Sequence, residues 1–244
     1  MKQLGILTSI ICSIILTNCN TEEASFMIAS GAGYKNPMNE IKQLYMQETG
    51  IKINMLFGNM QTISQQTLKS GQITIVIGDM DFLQNPKYGV KYSKFGTIGC
   101  GKLALAFGKN NGFSQRIDLL DSKIKRVLIA DPENAIYGKA AKEYLQNIKI
   151  WSSLQDKLLV MKTVPMVSSY LLTNEADAGF INLSEAISLK DKLKSSLILS
   201  ELYSPIKIVA GVVDGFETNI QVNNFLTYLV ENIGAKKVFE SYGL

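Results

Sequence analysis

Apolar positions along the chain switch repeatedly between two spacings: short continuous runs, and one-sided stretches at helical intervals. "SFMIASGAG" at 25–33 is a β-type run that ends in glycines. "NPMNEIKQLYMQETG" at 36–50 follows, with Asn36 as N-cap, Pro37 at the first helical position and Thr49-Gly50 as the stop. Met38, Ile41, Leu44 and Tyr45 share one face of that helix. "IKINMLFGN" at 51–59 predicts the next strand, "MQTISQQTLKSG" a helix ended by glycine, and "ITIVIGD" at 73–79 a strand that is apolar on both faces. Strands of that kind, alternating with helices, predict a parallel sheet covered by helices.

From Asp81 to Gly101 the pattern is irregular and rich in glycine, after which "KLALAFGKN" at 102–110 alternates like a strand. A second α/β series follows. "KRVLIADP" predicts a strand, "KAAKEYLQN" a helix, "WSSLQDKLLVM" a short helix and a strand, "VPMVSSYLLTNE" a helix, "ADAGFIN" a strand and "LSEAISLK" a helix. "SPIKIVAGVVDG" at 204–215 brings another strand, and "NIQVNNFLTYLVENIG" and "AKKVFESYGL" close the chain as helices. Two such series, joined by strand-like segments near 102–110 and 204–213, predict an α/β protein of two lobes, each a mostly parallel sheet flanked by helices. The expected division is a leader at 1–19, a first lobe of 25–105 plus 205–244, and a second lobe of 106–204. The terminal helices return to the first lobe. Ligands collect beyond the carboxyl ends of parallel strands, where helix N-termini converge, so two facing lobes frame a cleft.

Composition narrows the chemistry. The 244 residues are 46% hydrophobic, enough for a packed core, and the net charge of +4 has no block of like charges that would suggest nucleic acid. Histidine is absent. That removes the usual general base at neutral pH, the usual partner of a Ser or Cys nucleophile and the commonest zinc ligand. An enzyme therefore starts at a disadvantage, and no cofactor or metal is expected.

The first residues, "MKQLGILTSIICSIILTNCNTEE", carry Lys2 and then an apolar stretch too short to cross a bilayer comfortably. This is an export signal. "LTNC" at 16–19 resembles the lipobox of bacterial lipoproteins, with Cys19 as the lipidated residue, although Asn18 stands where that motif carries a small residue. A plain cleaved signal peptide is the alternative. Beyond the leader only Cys100 is left, between two glycines, and it is expected to be a small buried residue rather than a reactive thiol.

Several stretches end a strand and start a helix: "ASGAGYKNP", "FGNMQT", "ADPENAIYG" and "TVPM", joined by "GFINLSEA". Each can present unpaired N–H donors, and helix N-termini that converge favour an anion without any Lys or Arg. "NEIKQLYMQETGIKINMLFGN", "IADPENAIYGKAAKEYL", "TNEADAGFINLSEA" and "FLTYLVENIGAKKVFESYGL" resemble, in order and spacing, the substrate-binding component of molybdate ABC importers. The resemblance spans about 26–244 and implies a two-lobed, periplasmic-binding-protein-like fold with two crossover segments. It also implies an extracytoplasmic protein, monomeric, that closes on a tetrahedral oxyanion and hands it to a permease in the inner membrane.

That family holds its oxyanion with neutral donors, hydroxyls of Ser or Tyr and backbone N–H groups. Laid over this chain, the first Ser falls at Gly33, beside Tyr34, and the second at Asn59 or Met60. The donor of the Asp-Pro-Glu loop falls at Tyr137, that of the later loop at Val164, and the family Tyr at Asn182. Backbone donors survive these changes, and Asn59, Tyr137 and Asn182 still donate through side chains, whereas Met60 does not. Asp131 is expected to cap its own turn, since a carboxylate there repels an anion. "GDMDF" at 78–82 reads as a polar strand end rather than a metal site, and "GAGYKNP" lacks the third glycine of a dinucleotide loop. The function expected is an oxyanion receptor, molybdate first. The alternatives are tungstate, sulfate, phosphate or a small organic acid on the same fold, and, from another class, an enzyme on the same architecture.

Overall fold

The computed structural model describes residues 25–108 and 118–244. The leader, Cys19 and the expected lipidation lie outside them. Two five-stranded sheets, numbered here in chain order, carry the architecture. The first has the order β2-β1-β3-β10-β4, from β1 (Ser25–Gly31), β2 (Lys52–Gly58), β3 (Ile73–Asp79), β4 (Tyr92–Gly101) and β10 (Ile206–Val213). The second has the order β7-β6-β8-β5-β9, from β5 (Leu103–Gly108), β6 (Val127–Ala130), β7 (Leu158–Met161), β8 (Ala178–Asn182) and β9 (Leu193–Leu197).

Each sheet is parallel over its first three strands and antiparallel over its last two. The antiparallel part exceeds what the sequence predicts because β4 and β9 were not expected as strands. Strand β4 is glycine-rich for a packing reason: a Cβ on Gly96 would lie 2.7 Å from Val230 and 2.8 Å from Leu226, so only glycine lets the helix above approach. The chain changes sheet at Lys102, between β4 and β5, and returns before β10. The boundary expected after residue 105 falls inside β5, whose partners all belong to the second sheet.

Helices cover both sheets. Helix α1 (Lys35–Thr49) starts one residue before the expected Asn36 cap, because a 3-10 turn, Ala32–Tyr34, leads directly into it, and it stops at Gly50 with φ of 73°. Helix α2 (Met60–Ser70) is capped by Asn59, whose side chain accepts the Thr62 N–H at 2.9 Å. Helices α4 (Ile136–Asn147), α5 (Val164–Leu172) and α6 (Leu183–Ser188) pack on the second sheet. The short α3 (Met80–Leu83) follows β3. Helices α7 (Ile220–Glu231) and α8 (Ile233–Ser241) return to the first lobe, α7 over β4 and β10 and α8 against α1.

The central fit of α7 is Phe225, fully buried with its ring edge-on to Phe26 at 5.4 Å and to Tyr45 at 4.9 Å. Phe225→Ala is expected to remove about 3–5 kcal/mol of unfolding free energy. Chemical denaturation measures it, and a loss under about 1 kcal/mol would contradict this account of the lobe.

Candidate functional site

Four chain segments meet where the lobes face each other and line a hollow. The first lobe contributes Gly31 to Tyr34, between β1 and α1, and Gly58 to Met60, between β2 and α2. The second contributes Ala135 to Tyr137 at the start of α4, and Thr163 and Val164 at the start of α5. The free volume is about 20 Å³, on a scale where one water needs roughly 10–15 Å³. The hollow is small and partly open to solvent.

The local sequence explains why helix starts reach this point. Gly138 lets the first turn of α4 lie on the end of β6, since a Cβ there would meet the Ala130 carbonyl at 2.3 Å and that of Asp131 at 2.4 Å. Asp131 shapes the preceding turn as expected: its carboxylate accepts the Glu133 N–H and the Asn134 side-chain amide, both at 2.8 Å. Thr163 precedes α5, and Pro165 fills its first turn, where no N–H is needed.

The donors differ in what they already hold. The Met60 N–H gives its hydrogen to the Asn134 carbonyl of the opposite lobe at 2.8 Å. Among the described residues the N–H groups of Ile136, Tyr137 and Val164 have no acceptor. Helices α2, α4 and α5 thus direct their positive N-terminal ends at one space, and no Lys, Arg, Asp or Glu lines it.

Six of the seven residues expected at the site therefore border one hollow: Gly33, Tyr34, Asn59, Met60, Tyr137 and Val164. Asn182 stands behind it. Fully buried, it donates from Nδ2 to the Gly33 carbonyl at 2.8 Å, and Ser184 Oγ donates to the same carbonyl at 3.1 Å. That carbonyl is thereby held by the second lobe. Asn182 Oδ1 has no partner among the described residues. A Cβ at Gly33 would lie 2.8 Å from this oxygen, so a side chain at 33 and the amide of Asn182 compete for one space. Asn59 is committed through its oxygen to capping α2.

Tyr34 and Tyr137 meet hydroxyl to hydroxyl at 2.8 Å across the lobes, a contact that sequence reasoning missed. Burial pushes both phenols well above their ordinary range, so both stay protonated. Other interlobe contacts lie further out: Tyr88 donates to the Glu133 carbonyl at 3.1 Å, and Lys139 approaches Asp81 at 3.4 Å. These contacts hold the lobes against each other.

The remaining candidates resolve individually. Cys100 is exposed, not buried as expected, because it faces outward on the edge strand β4. No cluster of three or more His, Cys, Asp or Glu suited to a metal exists among the described residues. In "GDMDF", Asp79 is buried at the end of β3 and accepts the Lys207 N–H at 3.0 Å, the polar strand end that was expected.

A two-lobed α/β fold with a small hollow between its lobes fits a solute-binding protein. Residues 26–244 match the family of bacterial extracellular solute-binding proteins, and the chain belongs to that family. It is 26% identical over 220 residues to the molybdate-binding protein ModA of Rhodobacter capsulatus, covering 88% of this chain and 86% of that one. Identity is also 26% over 237 residues with ModA of Azotobacter vinelandii, covering 93% and 92%. The solved structure of the periplasmic molybdate-binding protein of Azotobacter vinelandii matches with a TM-score of 0.80 at 17% identity, over 89% of this chain and 97% of that one. The chain is a divergent relative of the molybdate-binding proteins.

Asp79 also yields a test. Burial, with Asp81 adding to it and Lys139 opposing, pushes its carboxyl from 3.8 up to about 6. A carboxyl that is harder to ionise in the folded chain stabilises it fully below 3.8, and that contribution is lost as pH rises through about 6. Asp79→Asn keeps an oxygen for the Lys207 N–H. It is expected to gain stability relative to wild type as pH rises from about 4 to about 7. Denaturation midpoints of the two proteins across that window measure the effect, and a constant difference would refute it.

Proposed function

We propose that this chain is the extracytoplasmic solute-binding component of an ABC importer. It takes a tetrahedral oxyanion, molybdate first, into the interlobe hollow and delivers it to a permease in the inner membrane. The observation that carries this reading is the set of unpaired N–H groups at Ile136, Tyr137 and Val164, which border one small hollow without charged side chains. An oxyanion supplies acceptors in several directions at once, and helix starts stabilise its charge without an ion pair. Neutral dipoles also suit release, because no fixed countercharge is left buried when the lobes separate. The chemistry expected is capture and transfer, with the solute unaltered. The leader fits export, and Cys19 fits a lipid anchor beside the permease.

Gly33, Asn59 and Asn182 depart from the hydroxyl donors of the molybdate importers, so backbone donors carry more of the binding here. The anion is identified by calorimetry with molybdate, tungstate, sulfate, phosphate and a small organic acid. Saturable heat with molybdate is the expected result; binding of the organic acid alone, or of nothing, would end the reading. Asn182→Ala leaves the Gly33 carbonyl with the Ser184 hydroxyl alone and is expected to weaken binding about tenfold, the equivalent of the roughly 1–3 kcal/mol lost with a buried hydrogen bond. Unchanged affinity in that variant would remove Asn182 from the site.

A further inference from the structure

Tyr137 makes contacts that bordering the hollow does not require. Its hydroxyl bonds that of Tyr34 across the lobes, with ring centroids 6.1 Å apart. The same hydroxyl lies over Gly101, where an added Cβ would sit 2.2 Å from the phenol oxygen and 3.2 Å from Cζ. Gly101 ends β4 and pairs with Ile206, the first residue of β10. These two residues flank the places where the chain passes between sheets. Beside them Leu103, which opens β5, donates its N–H to the Tyr203 hydroxyl at 3.0 Å and ties the two crossovers together.

We propose that Tyr137 couples occupancy of the hollow to lobe closure by seating its phenol in the notch that Gly101 leaves at the paired crossovers, a role that rests on the solute-binding function above. The backbone of Tyr137 belongs to the helix start at the hollow, while its ring reaches the hinge. A solute that draws the start of α4 inward carries the ring into the notch, where the Tyr34 hydroxyl meets it. The notch exists only with glycine. With a Cβ present the phenol has to retreat, and a rigid ring packed between lobes retreats most easily by the rotation that separates them.

The test compares Gly101→Ala in two backgrounds, wild type and Tyr137→Phe, using molybdate as the probe, calorimetry for affinity and small-angle scattering for shape. In wild type the substitution is expected to weaken binding about tenfold or more and to abolish the ligand-induced fall in radius of gyration. In Tyr137→Phe, which lacks the oxygen that the Cβ meets, the same substitution is expected to cost less than about threefold and to leave that variant's own response to molybdate unchanged. The added Cβ also meets Ile206 Cγ2 at 2.9 Å in both backgrounds, so equal losses would mean a local effect of the glycine and overturn the proposal. Wild-type affinity in Gly101→Ala overturns it too. If wild type binds no oxyanion, the proposed ligand fails separately and the latch is read without one. Gly101→Ala must then raise the radius of gyration in the wild-type background and not in Tyr137→Phe; equal radii in all four proteins end the idea.

Discussion

Every helix begins with N–H groups that its own backbone cannot satisfy, and a buried one left without an acceptor costs about 1–3 kcal/mol. The fold concentrates this constraint at one place. Strand ends in both sheets point toward the cleft, each followed by a helix start, and Gly138 allows α4 to begin hard against β6. One of the resulting donors, at Met60, is answered by the opposite lobe through Asn134. Those at Ile136, Tyr137 and Val164 are not. The protein therefore holds part of its own interface together and leaves these donors without an acceptor among the described residues.

The two sheets repeat one strand order, and the fourth place in each is taken by a strand that has just crossed from the other lobe, β10 in the first and β5 in the second. This exchange puts both crossovers side by side and makes a hinge of two backbone segments rather than a broad interface. Between the outer parts of the lobes, Lys139 meets Asp81, an exposed pair of the kind worth little in water, and Leu183 of α6 lies against Gly243. The inner contacts between the lobes are the paired phenols, the Gly33 carbonyl held from the second lobe, and the bond from Met60.

Much of this was legible in the sequence. The all-apolar run 73–79 became β3 with the same bounds, and the helix signals at 60–70, 164–172 and 220–231 came out within a few residues. Strands β4 and β9 escaped because their logic is not in hydrophobic period: β4 is glycine-rich to admit α7, and β9, "LKSSL", is a polar edge. The strand-to-helix junctions marked most of the residues that line the hollow. The pairing of Tyr34 with Tyr137 was not visible, because 103 residues separate them and nothing local in either segment signals a partner. The exposure of Cys100 was hidden for a related reason: its glycine neighbours suggest tight packing, whereas the outcome depends on which face of an edge strand it occupies.

The shared space of Gly33 and Asn182 couples the two positions. With the amide in its present place, a Cβ at 33 would lie 2.8 Å from its oxygen. A side chain can enter at 33 only if that amide turns aside or gives way, so substitutions at the two positions do not act independently.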